Sequence, residues 1–388
     1  MTELIDYIPR LWLYLLAGAA AVMLYQMWFW LRYMLVRRKS LLVLPPDTKK
    51  EEDNPQKETG VSVIVAARNE ENNLRNYLHQ LLEQDYPEFE VIVVNDGSED
   101  GTQEVLDEYA ARYPRLKTTF VPRQARILSS KKLALTLGVK AARYEYLLFT
   151  DADCCPASPD WIREMTEPYR RSDRTEVVLG LGAYFKEKSA LNRLIQYETL
   201  FTALQYLGMA AASHPYMGVG RNLSYRKSLF MERQGFAHLP VARAGDDDLL
   251  VNRFAGKKNT AVVRTEESIT WSVPKHTWAE WYQQRKRHLS VSGLYKTGSK
   301  IRLCIEPLSR AAWYGLLITM LCIGSWQLQC AAAGLYVARL LMQLTVMRVS
   351  AGRMGVPKPG LETAFWDIAF PLLTLWILML PKSKHVYW

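Results

Sequence analysis

Cysteine is scarce in this chain, with five among 388 residues. So small and odd a number excludes a disulfide-stapled scaffold. Neither a Cys-x-x-Cys pair nor a zinc-like spacing among the six histidines is present, which argues against a zinc site. Internal repeats and low-complexity tracts are missing too. Disorder is excluded by the 49% hydrophobic content, since disordered chains bury too little apolar surface to offset their ordering entropy. The length is enough for about two domains.

The hydrophobic residues are clumped at the ends. Leu11 to Leu31 carries no charge and matches the ~20 residues a helix needs to cross a bilayer. It is too long for a signal-peptide core, and no small-residue cleavage site precedes Arg32. Arg32, Arg37, Arg38 and Lys39 follow it, a basic flank expected to stay cytoplasmic. Ala311 to Ala338 is also uncharged, broken only by the polar stretch from Ser325 to Gln329, and reads as two membrane helices joined by a tight turn. A last apolar segment begins at Leu361 but includes Glu362, Asp367 and Pro371, so three to four spans are expected. The net charge of +10 would attract phosphate, but no RNA- or DNA-binding module is evident. Charge flanking the membrane segments accounts for the excess, and no nucleic-acid partner is expected.

Between these ends, after a polar, Pro-flanked linker, the chain has the rhythm of an α/β domain. Val61–Ala67 is a β-branched run suited to a buried parallel strand, and Arg68-Asn69-Glu70-Glu71 leads into a helix with leucines at helical spacing. A second strand from Phe89 to Val94 ends in Asn95-Asp96-Gly97-Ser98. The alternation implies right-handed βαβ units, whose ligands bind beyond the carboxyl ends of the strands. Glu70 and Asp96 both stand there, whereas Ser98 and Asp100 read as helix caps.

A third strand, Tyr144 to Thr150, runs into Asp151-Ala152-Asp153. On an extended chain, carboxylates at i and i+2 point the same way. Such a pair suits a hard divalent cation, Mg2+ or Mn2+, that also binds phosphate oxygens. Lys131 and Lys132 open the preceding helix, where an ammonium could meet a phosphate. Asp246-Asp247-Asp248 precedes Leu249-Leu250; capping and helix-dipole complementarity explain one or two of these acids. Like charges this close raise one another's pKa, which suits a proton acceptor. Farther on, Trp278 to His288 mixes aromatic and basic residues, as a membrane-surface helix or a diphosphate-facing helix would.

In order and spacing, VIVAARNEENNL, VVNDGSEDGT, KKLALTLGVKAA, TDAD, MGVGRNLSYRK, GDDDLL and QRKRH resemble the membrane-bound family 2 inverting glycosyltransferases of GT-A fold, related to polysaccharide and glycolipid synthases. The resemblance implies a mixed, mainly parallel sheet with flanking helices, set between transmembrane helices. The expected organisation is a membrane helix with its basic flank (1–40), a linker (41–58), a cytoplasmic GT-A domain (59–305, with an interfacial segment near 276–300) and a membrane region of two to three helices (306–388). By resemblance, Ala67, Glu70, Asp96 and Lys132 belong to the donor site. Asp151 would lie toward the nucleotide, Asp153 would ligate the metal at the diphosphate, and Asp151 is a second metal candidate.

The family's Glu-Asp-x-x-Leu signature falls on Gly245, Asp246 and Leu249, so Asp246 is the implied base and Asp247 the fallback. Its Gln-x-x-Arg-Trp signature falls on Gln284, Arg287 and His288, which would face the diphosphate and acceptor. In processive synthases that Trp stacks on the acceptor sugar. The histidine here favours a single transfer over polymerisation. The implied reaction moves a sugar from a nucleotide diphosphate sugar, most often a UDP-sugar, to a lipid-linked or glycan acceptor. Membrane lipids are expected partners, and the plasma (inner) membrane is the expected location. A processive synthase of an exported polysaccharide is the alternative within the enzyme class. An inactive sugar-nucleotide-binding scaffold is the alternative outside it, opposed by the joint presence of Asp96, Asp151, Asp153 and Asp246.

Overall fold

A computed structural model describes residues 2–46, 60–122, 130–237 and 245–380. Helix α1 (Thr2–Phe29) continues through a π-helical turn (Trp30–Met34) and a short 3-10 turn toward edge strand β1 (Leu42–Val43). Of the segment read as a linker, residues 47–58 lie outside the described residues. Leu42 and Val43, by contrast, pair with the domain's sheet.

The domain then alternates β2 (Val61–Ala67), α2 (Glu71–Leu82), β3 (Phe89–Asn95), α3 (Thr102–Arg112), β4 (Leu116–Phe120), α4 (Ser130–Ala141) and β5 (Tyr146–Asp151). Next come β6 (Cys154–Pro156), α5 (Trp161–Arg171), β7 (Val177–Leu179), β8 (Gly182–Tyr184) and the long α6 (Ala190–Ala211). They are followed by β9 (Leu223–Arg226), α7 (Lys227–Glu232), α8 (Asp246–Phe254), β10 (Thr260–Val263) and β11 (Thr270–Ser272). Four helices end the described chain: α9 (Trp278–Ser292), α10 (Thr297–Ile323), α11 (Trp326–Arg353) and α12 (Thr363–Met379).

Eight strands form one sheet in the order β1-β10-β7-β9-β5-β2-β3-β4, and β6-β11-β8 form a second. The large sheet is mainly parallel; β9 runs against both its neighbours, and β1 against β10. β2 and β3 are buried at every position because helices cover both faces. Alternate residues divide between two cores. Val61, Val63 and Val65 pack with α2, α3 and α5, whereas Ile64 and Ala66 pack on the side of α4 and α6. The strands read from the sequence are thus present, but β5 begins at Tyr146 and extends to Asp151 itself.

Helix α6 joins the domain to the apolar helices. Gly208 makes that junction close: a Cβ there would lie 1.6 Å from the Tyr33 carbonyl oxygen in the π-helical turn. Among the described residues, two segments, Leu11–Met34 and Trp326–Arg353, are long and apolar enough to cross a membrane, and Thr363–Met379 is a shorter apolar helix. The expected break between two late helices is present at Gly324-Ser325, with α11 starting at Trp326. Large apolar side chains such as Leu13, Leu24, Leu341 and Leu372 are exposed along these helices. Some of their charged side chains are turned inward instead: Arg339 and Asp367 are each 1% exposed.

Candidate active site

The carboxyl ends of β2 and β5, the start of α8 and one face of α9 surround a cavity of about 570 Å3. Glu70, Asp151, Asp153, Asp246, Asp247, Gln284, Arg287 and His288 all line it. Ala67, Asp96 and Lys132 stand behind the wall. Ala67 pairs with Asn95 across the sheet, and its carbonyl accepts the Asp96 N–H at 2.8 Å. Asp96 is 1% exposed at the end of β3.

Loops after β2 and β3 are laced together. Asn69 N–H donates to Ser98 Oγ, and Glu71 N–H donates to Asp100 Oδ2. Asp100 Oδ1 also accepts the Thr102 N–H at the start of α3, so its capping role extends across two helices. Glu70 occupies the N-cap position of α2 without capping it. Its Oε2 instead accepts from Asn73 Nδ2 at 2.6 Å. Burial, opposed by that hydrogen bond and assisted by Asp153 and Asp151, pushes the Glu70 carboxyl up to about 7.

The acidic tripeptide departs from the extended geometry expected of it. Asp151 ends β5, and the chain turns at Ala152 and Asp153 before β6. A turn, not strand pleating, therefore brings both carboxylates to the cavity. Lys131 Nζ sits 2.9 Å from Asp151 Oδ1. Burial alone would raise the Asp151 carboxyl, but this ammonium holds it low. Asp153 is driven the other way, first by burial and then by Asp151. Two hard oxygen donors under mutual repulsion suit a divalent cation. No group of three or more His, Cys, Asp or Glu side chains fit for a metal occurs among the described residues. Phosphate and water oxygens would have to complete such a shell.

Across the cavity, α8 starts from Gly245, whose φ of +78° is left-handed backbone that glycine adopts at little cost. The N-cap position itself is Gly245, but Asp247 Oδ1 accepts the Asp248 N–H at 2.9 Å and all three acids stand in the first turn, in keeping with a capping and helix-dipole role for part of the cluster. Asp246 is paired with Lys132 Nζ at 3.5 Å. Asp247 accepts the Gly220 N–H, and Asp248 accepts the Tyr295 hydroxyl at 3.0 Å. Burial raises the Asp246 carboxyl to about 6, against the two nearby ammoniums. Asp248 is raised as well, chiefly by burial and then by Asp247.

Helix α9 begins at a reciprocal cap between Thr277 and Glu280, a signal visible in its Thr-x-x-Glu spacing. Gln284 Nε2 donates to Tyr184 Oη at 3.3 Å. His288 is neutral, because burial and then Arg287 and Arg285 hold it down to about 3.

Several residues on the wall escaped sequence reasoning. Arg221, in the loop before β9, donates to the carbonyls of Gly182 and Ala183 and to Ser272 Oγ, and its guanidinium stacks 4.1 Å over Tyr184. Its sequence signal was its place inside MGVGRNLSYRK, one of the segments that carry the resemblance, though no role was read for it there. Glu198, an acid inside apolar α6, pairs with Arg285 at 2.5 Å and accepts the Trp281 indole N–H at 3.1 Å.

A mainly parallel sheet with an acidic cavity at the carboxyl ends of its strands is the GT-A architecture. A mannosyltransferase from Pyrobaculum calidifontis, solved with GDP-Man and Mn2+, shares it with a TM-score of 0.56 over 92% of this chain and 98% of that one. At 19% identity, that likeness concerns the fold alone. Residues 62–233 match the family model described as glycosyl transferase family 2, so the chain carries a family 2 glycosyltransferase domain. It is 29% identical over 152 residues to a poly-beta-1,6-N-acetyl-D-glucosamine synthase of Staphylococcus epidermidis, covering 39% of this chain and 35% of the relative. With the probable glycosyltransferase YdaM of Bacillus subtilis it shares 25% identity over 237 residues, 58% of this chain and 54% of that one. The aligned regions thus span about a third to a half of these relatives.

Proposed function

We propose that the protein transfers a sugar from a nucleotide diphosphate sugar to a hydroxyl of a membrane-associated acceptor, with inversion at the anomeric carbon. The observation that carries this reading is the meeting of Asp151, Asp153, Asp246, Gln284 and Arg287 around one cavity. Glu70 at the end of β2 would face the base and ribose, with Asp96 buried at the neighbouring end of β3. Arg287 and Gln284 would approach the diphosphate from α9. Asp151 and Asp153 would hold Mg2+ or Mn2+, whose chemistry there is to offset charge developing on the departing diphosphate. The mannosyltransferase of the same fold was solved with that kind of pair, a nucleotide sugar and Mn2+.

Asp246 is the base. Its carboxyl is poised near 6, ionised at neutral pH yet basic enough to take a hydroxyl proton in flight. The deprotonated oxygen attacks from the face opposite the leaving diphosphate, so one displacement inverts the configuration. The setting fits a membrane acceptor, because α6 forms cavity wall on one side and packs on α1's continuation and α11 on the other. With the apolar helices spanning a plasma membrane, the basic residues after α1 would hold the domain on the cytoplasmic side.

The test is a screen of UDP-GlcNAc, UDP-glucose, UDP-galactose and GDP-mannose with purified full-length protein, reading released nucleotide. Release from one donor that needs Mg2+ or Mn2+ is expected, with label passing to the organic phase of a lipid extract. No release from any donor with either metal would overturn the reading. A second reading, processive synthesis, draws on the similarity to the staphylococcal synthase. Label recovered in high-mass polymer would favour it.

A further inference from the structure

Asp367 is the single charged residue of α12, and it lies buried among helices that otherwise expose apolar side chains. Arg339 Nη1 of α11 is 2.6 Å from its carboxylate and Arg310 Nη1 of α10 is 3.3 Å away. The Tyr314 hydroxyl and Gln343 Nε2 also donate to it, at 2.5 and 2.9 Å. Arg310 is paired in turn with Glu306, and Arg339 donates to Gln26 of α1. Side chains of α10 and α11 thus meet at the one carboxylate of α12, and α1 joins the network through Arg339.

An apolar helix in an apolar surround can rotate or slide at little cost, because lipid and leucine are alike to it. Buried polar pairs add the directional contacts that specify its rotation and depth, beside side-chain packing. One turn beyond Asp367, Phe370 meets Tyr197 and Phe201 of α6 edge-on. Above the same ring, at 5.0 Å, lies the Arg285 guanidinium of α9, and Trp376 packs against Tyr282 of α9 at 5.7 Å. Arg285 is the partner of Glu198 on α6. Helix α9 carries Gln284, Arg287 and His288 into the cavity.

We propose that Asp367 is a positioning residue for the active site: by fixing α12 against α10 and α11, it sets α9 and with it Arg287 over the diphosphate position. The proposal concerns placement of α9, and only its binding arm rests on the nucleotide diphosphate reading above. The experiment uses the full chain in lipid nanodiscs, comparing wild type, Asp367→Asn, Asp367→Glu and Phe370→Leu.

Hydrogen exchange needs no ligand. Asp367→Asn should speed exchange in residues 278–292 and leave 61–67 and 89–95 unchanged, with Asp367→Glu intermediate. Phe370→Leu keeps the ion network but cuts the link, and should loosen 278–292 as well. Change confined to α12 in Asp367→Asn, or none in α9 for Phe370→Leu, overturns the proposal. If Asp367→Asn loosens β2 and β3 too, the Phe370→Leu result decides.

The binding arm uses UDP and GDP, each with Mn2+. Asp367→Asn should weaken whichever nucleotide binds by about three- to thirtyfold, and its effect should vanish in an Arg287→Ala background, as coupled sites require. Additive losses overturn the coupling. Should wild type bind neither nucleotide, the functional reading fails while exchange still decides the role of Asp367.

Discussion

Lys132 Nζ lies 3.5 Å from Asp246 Oδ1, joining the first turn of α4 to the first residue of α8. The pair is nearly buried, with side-chain exposures of 15% and 7%. Its neighbour Lys131 reaches Asp151 instead, so two adjacent lysines serve the two acidic poles of the cavity.

The pair bears on pH dependence. Burial raises the Asp246 carboxyl to about 6, and the Lys131 and Lys132 ammoniums work against that rise. A base must be ionised, so kcat/KM should climb with pH through about 6 and then level off. Lys132→Gln removes one opposing cation and should move this acidic limb to higher pH. A limb that stays in place, or moves down, would count against Asp246 as the titrating base.

Replacing the base outright separates chemistry from binding. Asp246→Asn should reduce transfer by about 10²- to 10⁴-fold, the usual worth of general base catalysis. Nucleotide affinity, read by calorimetry with UDP or GDP and Mn2+, should stay close to wild type. Loss of both, or of neither, would exclude this role.

Metal removal is checked at Asp153. In the wild type, Mn2+ should strengthen nucleotide binding, and chelation should abolish the gain. Asp153→Ala should leave only the weak, metal-independent affinity. A variant whose binding still responds to Mn2+ would show that the cation is held elsewhere.

The junction with the apolar helices is tested by Gly208. A Cβ placed 1.6 Å from the Tyr33 carbonyl oxygen cannot fit without backbone movement. Gly208→Ala should cost about 1–3 kcal/mol, the usual range for overpacking, read as a fall in Tm of the full chain. Gly315→Ala, where a Cβ would meet nothing within 4 Å, is the control and should leave Tm unchanged or higher.

Much of the domain was legible because its central strands are covered on both faces. Val61–Ala67 and Phe89–Asn95 read as mainly apolar, β-branched runs, and the acids after them mark the ends where ligands gather. The starts of α4 and α8 were legible for a similar local reason, since charge stands immediately before apolar residues, whereas the Thr277–Glu280 cap of α9 went unread. Less visible were contacts between residues distant in the chain. Nothing near Arg221 announces that Gly182, Ala183 and Ser272 will hold its guanidinium. The Asp-Ala-Asp tripeptide announced its acids but not its shape, since a turn and a strand can carry the same three residues.

Sequence alone determined the order of the central strands and their helices, the clumping of apolar residues at the two ends and the acids that stand beyond the strands. Those follow from local periodicity and composition, which each segment carries by itself. Tertiary structure alone decided which lysine meets which aspartate, that Asp246 is raised while Asp151 is held low, and that Asp367 is bound by two arginines from different helices. Burial and charge pairing are properties of the assembled surroundings, so they arise only when helices far apart in the chain close around the same point.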